Sequence, residues 1–97
     1  MTTEEMERLP GSEIVLVGIA DLRAGRRSVE ASAVQSAAAR LRRIGLEAPA
    51  ARGPVPASHE LYLRLRDELG DRAHSRHNAI LARVASFARA AESARAR

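Results

Sequence analysis

Glu13-Ile14-Val15-Leu16-Val17-Gly18-Ile19-Ala20-Asp21-Leu22-Arg23-Ala24 is the stretch on which the fold class turns. Five of its residues 14–19 are large and apolar, and four of those are β-branched. Such a run suits a buried strand or a helix buried on nearly every side. A strand, however, needs a neighbour to satisfy its backbone donors and acceptors. No second segment of this chain reads as a strand, so the stretch is predicted to be a helix. Pro10-Gly11-Ser12 set it off, with Ser12 as its N-cap, and Gly25 stops it. A helix this apolar sits at the centre of a bundle or presses on a partner. Ile14, Leu16 and Val17 are therefore candidate partner-contact residues.

Three more helices follow outward from this one. Ser28 is expected to cap the second, with Glu30 in its first turn and Gly45 at its end. Val34, Ala37, Leu41 and Ile44 form its apolar stripe, and Arg40, Arg42 and Arg43 crowd its last turn, where the macrodipole favours cations. Residues 46–57 hold three prolines and a glycine and form an extended connector. Ser58 is the expected cap of the third helix, which carries Leu61, Tyr62, Leu65 and Leu69 and stops at Gly70. Asp71 is the expected cap of the fourth, whose stripe is Ala73, His77, Ile80, Val84, Phe87 and Ala91. The prediction is one all-α domain over residues 1–97, a small four-helix bundle of two helical hairpins joined by a Pro-rich connector. Residues 1–9 and 94–97 are expected to fray.

Composition bears on what that bundle can do alone. Of 97 residues 45% are nominally hydrophobic, but 20 are alanine, and Tyr62 and Phe87 are the only aromatics. A buried alanine contributes one methyl, against ~1.5–3 kcal/mol for a large aliphatic side chain. A core this thin points to a second chain, a protein partner or a homo-oligomer, that covers the remaining apolar surface. All 16 basic residues are arginine, as GC-rich coding produces, and the net charge of +4 permits an acidic protein or a nucleic acid as partner. With no cysteine, disulfides and thiolate metal sites are excluded. No run approaches the ~18–20 apolar residues of a membrane span. The first nine residues carry Glu4, Glu5 and Glu7 where a signal peptide would be basic, so cytoplasmic residence without membrane attachment is expected.

The densest polar patch is Asp71-Arg-Ala-His-Ser-Arg-His-Asn78, and three readings compete for it. As the second helix of a helix-turn-helix, it would offer Arg72, His74, Ser75, Arg76 and Asn78 to nucleic acid. Against that, Asp71 and Arg76 stand where such units place apolar residues, and the connection is shorter than usual. Arg72 and His77, with four residues between them, resemble the motif of HEPN-type ribonucleases. That resemblance implies a metal-independent attack on RNA phosphodiesters, generally across a dimer, with the histidine as acid or base and the arginine stabilising the phosphorane. Here the residue after the arginine is Ala73, where that motif is usually polar, and His77 lies on the apolar stripe. The third reading is a capped helix start with solvated arginines. His59, His74 and His77 do not make a metal site, and no cofactor is expected.

Leu22-Arg-Ala-Gly25, Arg26-Arg-Ser-Val-Glu-Ala31, Arg40-Leu-Arg-Arg-Ile-Gly-Leu46 and Ala73-His-Ser-Arg-His-Asn-Ala-Ile-Leu81 together resemble small helical antitoxins of high-GC actinobacteria. These are encoded beside nucleotidyltransferase-type toxins. The resemblance implies a non-catalytic role, binding and neutralising a toxin encoded by a neighbouring gene. The expected contact surface is the apolar helical face of Ile14, Leu16 and Val17, rimmed by Arg40, Arg43, Arg72 and Arg76.

Overall fold

The contested stretch is helical. In a computed structural model describing residues 2–49 and 55–96, it forms α2, Ser12–Arg23. The other helices are α1 (Thr3–Glu7), α3 (Val29–Ser36), α4 (Ala38–Arg43), α5 (Ala57–Leu69) and α6 (Ala73–Arg95), with a 3-10 turn over Gly70–Arg72. There is no strand among the described residues. Val15, Gly18 and Ile19 are buried and Leu22 half-buried, so α2 turns one stripe inward at positions i, i+3, i+4 and i+7. At Gly18 a Cβ would collide with the Glu30 carbonyl oxygen and a Val34 methyl. The missing side chain is what lets α2 and α3 approach so closely.

The predicted glycine stops are built as expected. After α2, Arg26 N–H donates to the Asp21 carbonyl (2.8 Å) and Gly25 N–H to that of Leu22 (3.2 Å), with Gly25 at φ 72°. After α4, Leu46 and Gly45 repeat the pattern on Leu41 (3.1 Å) and Arg42 (3.0 Å). Both are Schellman closures, in which left-handed glycine turns the chain back over the helix end. Ser28 caps α3 as predicted, its hydroxyl accepting the Ala31 N–H at 3.0 Å.

Elsewhere the structure corrects the expected details. The single helix predicted between Ser28 and Gly45 is broken at Ala37 (φ −113°, ψ 16°). Ser36 Oγ donates to the Ala33 carbonyl at 2.6 Å, a back-bond that competes with the helical ladder. Residues 3–7, expected to fray, form α1, capped by the Thr2 hydroxyl on Glu5 N–H. Ser12 is not an N-cap: Gly11 holds that place at φ 81°, and the Ser12 hydroxyl instead donates to the Glu7 carbonyl at 3.0 Å. Ser58 lies inside α5, because the Pro56 carbonyl takes the first bonds, from His59 and Glu60 (both 3.0 Å). Asp71 falls in the 3-10 turn, and α6 starts at the enclosed Ala73 and runs to Arg95. Of the expected 46–57 connector, residues 50–54 lie outside the described residues; residues 46–49 are non-helical and bury Ala48.

α3 lies at the centre, packed against α2, α5 and α6. The 23-residue α6 is about 34 Å long at ~1.5 Å per residue, so it sets most of the 41 Å long axis. Phe87, Leu41, Leu61, Val15, Val34 and Val84 are fully enclosed. Among the described residues, eight of the 17 buried hydrophobics are alanine (residues 31, 33, 38, 48, 57, 73, 88 and 91), so the core is as thin as composition implied. No helix among the described residues is long and apolar enough to cross a membrane.

Candidate functional site

The predicted contact residues do not form one surface in the manner expected. On α2, Ile14 is half-buried against the core, Leu16 is half-buried, and Val17 is 46% exposed. Arg40 is engaged within the fold: its Nε and Nη2 grip the Glu92 carboxylate, the latter at 2.6 Å. Arg40 thereby holds the Glu92 carboxyl below the usual carboxylate range, with a smaller contribution from Arg43, and Glu92 raises the Arg40 guanidinium in return. Arg43 is exposed on the last turn of α4, and its carbonyl accepts from Arg95 Nη1 at 3.1 Å. Arg72 and Arg76 are exposed at the other end of α6.

His74, Ser75 and Asn78 are exposed on the first turns of α6, with Asn78 Nδ2 3.4 Å from His74 Nε2. His77 is half-buried, and its Nε2–H donates to the Ser58 carbonyl at 2.9 Å. Its ring meets Tyr62 edge-on, centroids 5.8 Å apart at 85°. The imidazole thus ties α6 to the first turn of α5. Arg72 stands in the 3-10 turn, whereas the ring nitrogen of His77 is engaged by the Ser58 carbonyl. Among the described residues no three His, Asp or Glu side chains gather as metal ligands.

A depression the sequence did not reveal joins α1, the end of α4 and the second half of α6. Its volume is about 350 Å³, and Met6, Ile44, Gly45, Leu46, Phe87 and Ala91 line it with Arg95 at the edge. A contiguous depression shares Ile44 and Arg95 and adds Arg43, Glu92 and Ala96. Each part has a local cause. Gly45 turns the chain so that Ile44 and Leu46 both face α6, while the Arg40–Glu92 clamp and the Arg95 bond to Arg43 fix α4 against it. Ile44, Gly45, Phe87, Ala91 and the arginine-rich turn were visible in the sequence as parts of separate helices, but their meeting was not. Met6 belongs to a helix too short for periodicity to reveal, and Arg95 to an expected frayed tail.

A second cleft, between the start of α3, α5 and α6, gathers Arg27, Arg64 and Arg76 with Glu30 and Glu68, so its charges nearly balance. The chain matches no protein-family profile, no curated protein and no solved structure.

Proposed function

We propose that the chain is a non-catalytic protein-interaction module that docks a partner protein in the groove between α1, α4 and α6. The observation that carries this reading is the meeting, in one depression above the enclosed Phe87 and Ala91, of the half-buried Met6, Ile44 and Leu46 with the exposed Arg43 and Arg95. An apolar centre with a charged border is the usual anatomy of a binding patch, the centre supplying affinity and the border orientation and association rate. The thin, alanine-rich core supports a partner as well, since a ligand of the folded state adds stability the chain's own packing lacks. The resemblance to small antitoxins gives the reading its biological form: a cytoplasmic chain that neutralises a toxin encoded beside it. In architecture we read two helical hairpins, α2 with α3–α4 and α5 with α6, joined through the 46–57 connector, with the groove at one end.

The test is co-expression with the product of the neighbouring gene. The two chains are expected to co-elute, and mixing purified components is expected to raise the melting temperature. Met6→Asp should abolish both effects while leaving the helical circular dichroism of the free chain unchanged. Absence of co-elution and of any thermal gain, or persistence of both in Met6→Asp, would overturn the reading.

One observation favours a second reading, nucleic-acid binding. Arg72, His74, Ser75, Arg76 and Asn78 are all exposed around the start of α6. A phosphate-directed interface there would show affinity falling steeply with salt, and Arg76→Ala would reduce that slope.

A further inference from the structure

Phe87 and Ala91, on the floor of the groove, are enclosed, although about 350 Å³ of space lies above them. One wall of that space is α1, and its attachment is slight. Five residues fall far below the ~12–15 at which an isolated helix becomes even marginal, so α1 depends on what holds it. None of its residues is fully buried; Met6 and, just past its end, Leu9 are half-buried against the core. Its charges add no tie. Glu4 pairs with Arg8 in the same segment, and among the described residues no ion pair joins Glu4, Glu5 or Glu7 to α4 or α6. Two bonds from one residue hold the segment to α2. Ser12 Oγ donates to the Glu7 carbonyl at 3.0 Å, and Ser12 N–H to that of Leu9 at 3.3 Å.

The next contact along the chain is much firmer. Gly11 is buried at φ 81°, so close to α6 that a Cβ there would strike the Arg83 carbonyl. Glu13, two residues on, pairs with the Arg83 guanidinium. The chain is thus pinned to α6 at Gly11 and lightly held before it, as a strap is on a fixed pivot.

We propose that α1 is a lid: residues 2–9 swing away about Gly11 while the other helices stay folded, opening a path to Phe87 and Ala91. Undocking gives up two half-buried side chains and two hydrogen bonds, whereas global unfolding exposes the whole core. As regulation of the groove the lid rests on the docking reading above, but the opening itself is a property of the free chain. Met6 then acts twice, closing the free groove and covering a group seated in it.

The chain has no cysteine, so a single introduced thiol reports its own exposure. Full-length Ala91→Cys and Ala33→Cys, the latter enclosed in α3, are reacted with a small uncharged thiol reagent at several low urea concentrations. The Ala91→Cys thiol is expected to react at least about a hundredfold faster than the Ala33→Cys thiol, at a rate nearly independent of urea, as local opening does. Adding Ser12→Ala should speed it about three- to tenfold, the loss of one hydrogen bond. Adding Val84→Ala, which weakens the core but not the lid, should speed the Ala33→Cys thiol about tenfold and leave the Ala91→Cys thiol unchanged. In the chain without cysteine, amide hydrogen exchange at Met6 and Leu9 should show the same contrast with Val34, which keeps the test open if Ala91→Cys does not fold. An Ala91→Cys thiol that responds to urea and to Val84→Ala as the Ala33→Cys thiol does overturns the lid. So does one that reacts as fast as in the unfolded chain and ignores Ser12→Ala, because α1 then shields nothing. Met6-dependent co-elution alongside either result keeps the docking reading without the lid. Local opening without any co-elution keeps the lid and removes the docking reading.

Discussion

Gly18 of α2 lies where any side chain would strike the main-chain carbonyl of Glu30 at the first turn of α3. The closest approach of the two most extensively packed helices thus depends on one absent methyl. A second neighbour at the same place is the Val34 methyl, on the enclosed face of α3. A flexible side chain can swing aside, but a helix carbonyl cannot, so relief requires the helices to separate.

Gly18→Ala is therefore expected to destabilise the fold, by about 1–3 kcal/mol, as overpacked cores do. Intrinsic helix propensity acts in the opposite direction by about 1 kcal/mol, so a net loss would identify contact as the dominant effect. Ala20→Gly, on the exposed side of the same helix, serves as the control and should cost about 1 kcal/mol. Urea denaturation of both variants checks this. A Gly18→Ala variant more stable than the parent would mean α2 and α3 are not held at this distance.

Ser28 links the two helices a second time. Its hydroxyl accepts from Ala31 N–H and donates to Asp21 Oδ2 at 2.7 Å, so one atom caps α3 and ties it to the end of α2. Ser28→Ala should cost about 1–2 kcal/mol, near the upper range for a lost cap. It should also raise the Asp21 pKa toward the ordinary carboxylate value, because the Ser28 bond is the largest cause of its depression, with Arg26 adding less. Carboxyl titration by NMR separates the two effects. An unshifted Asp21 would show that the hydroxyl bond does not persist in solution.

Elements that bury a stripe were legible from residue order, because burial imposes a period. The inward stripe of α6 is Ala73, Ile80, Val84, Phe87 and Ala91, as the spacing predicts, and His77 joins it half-buried. The Gly25 and Gly45 stops were legible because positive φ is cheap only for glycine. Caps were misread at Ser12, Ser58 and Asp71, where a proline, a left-handed glycine or a 3-10 turn took the end of the helix instead. The break at Ala37 depends on one Ser36 hydroxyl choosing a carbonyl over water, and residue type alone does not decide that. The groove was the least legible feature: Met6, Ile44 and Phe87 are far apart in sequence, and their meeting depends on how α1 and α4 fold onto α6.

His77 is positioned as a structural tie. Its Nε2–H bond to the Ser58 carbonyl and its edge contact with Tyr62 hold α5 to α6. His77→Ala is expected to lower stability by about 1–3 kcal/mol, the range for losing a side chain that leaves a carbonyl unpaired. RNA incubated with the parent and the variant should give the same fragment pattern. A cleavage activity that disappears in His77→Ala and in Arg72→Ala, with both variants folded, would restore the ribonuclease reading in place of the docking one.

Glu13, Asp21 and Glu92 are all held below the ordinary carboxylate range, by hydrogen bonds from Arg83, Ser28 and Arg40 respectively as the largest causes. Each binds its proton less readily in the folded chain than in the unfolded one. Their contribution is therefore fully present above the unfolded pKa, near ~4, and is lost as pH falls through the lower folded values. The melting temperature is expected to hold level between about pH 7 and 5 and then to fall below about pH 4. All three pairs lie at or near the surface, so the fall should be modest and should shrink in high salt. The combined variant Glu13→Gln, Asp21→Asn, Glu92→Gln removes these protonation sites and should flatten the acid limb relative to the parent. Parallel acid limbs for parent and variant would show that these three contacts do not set the pH dependence.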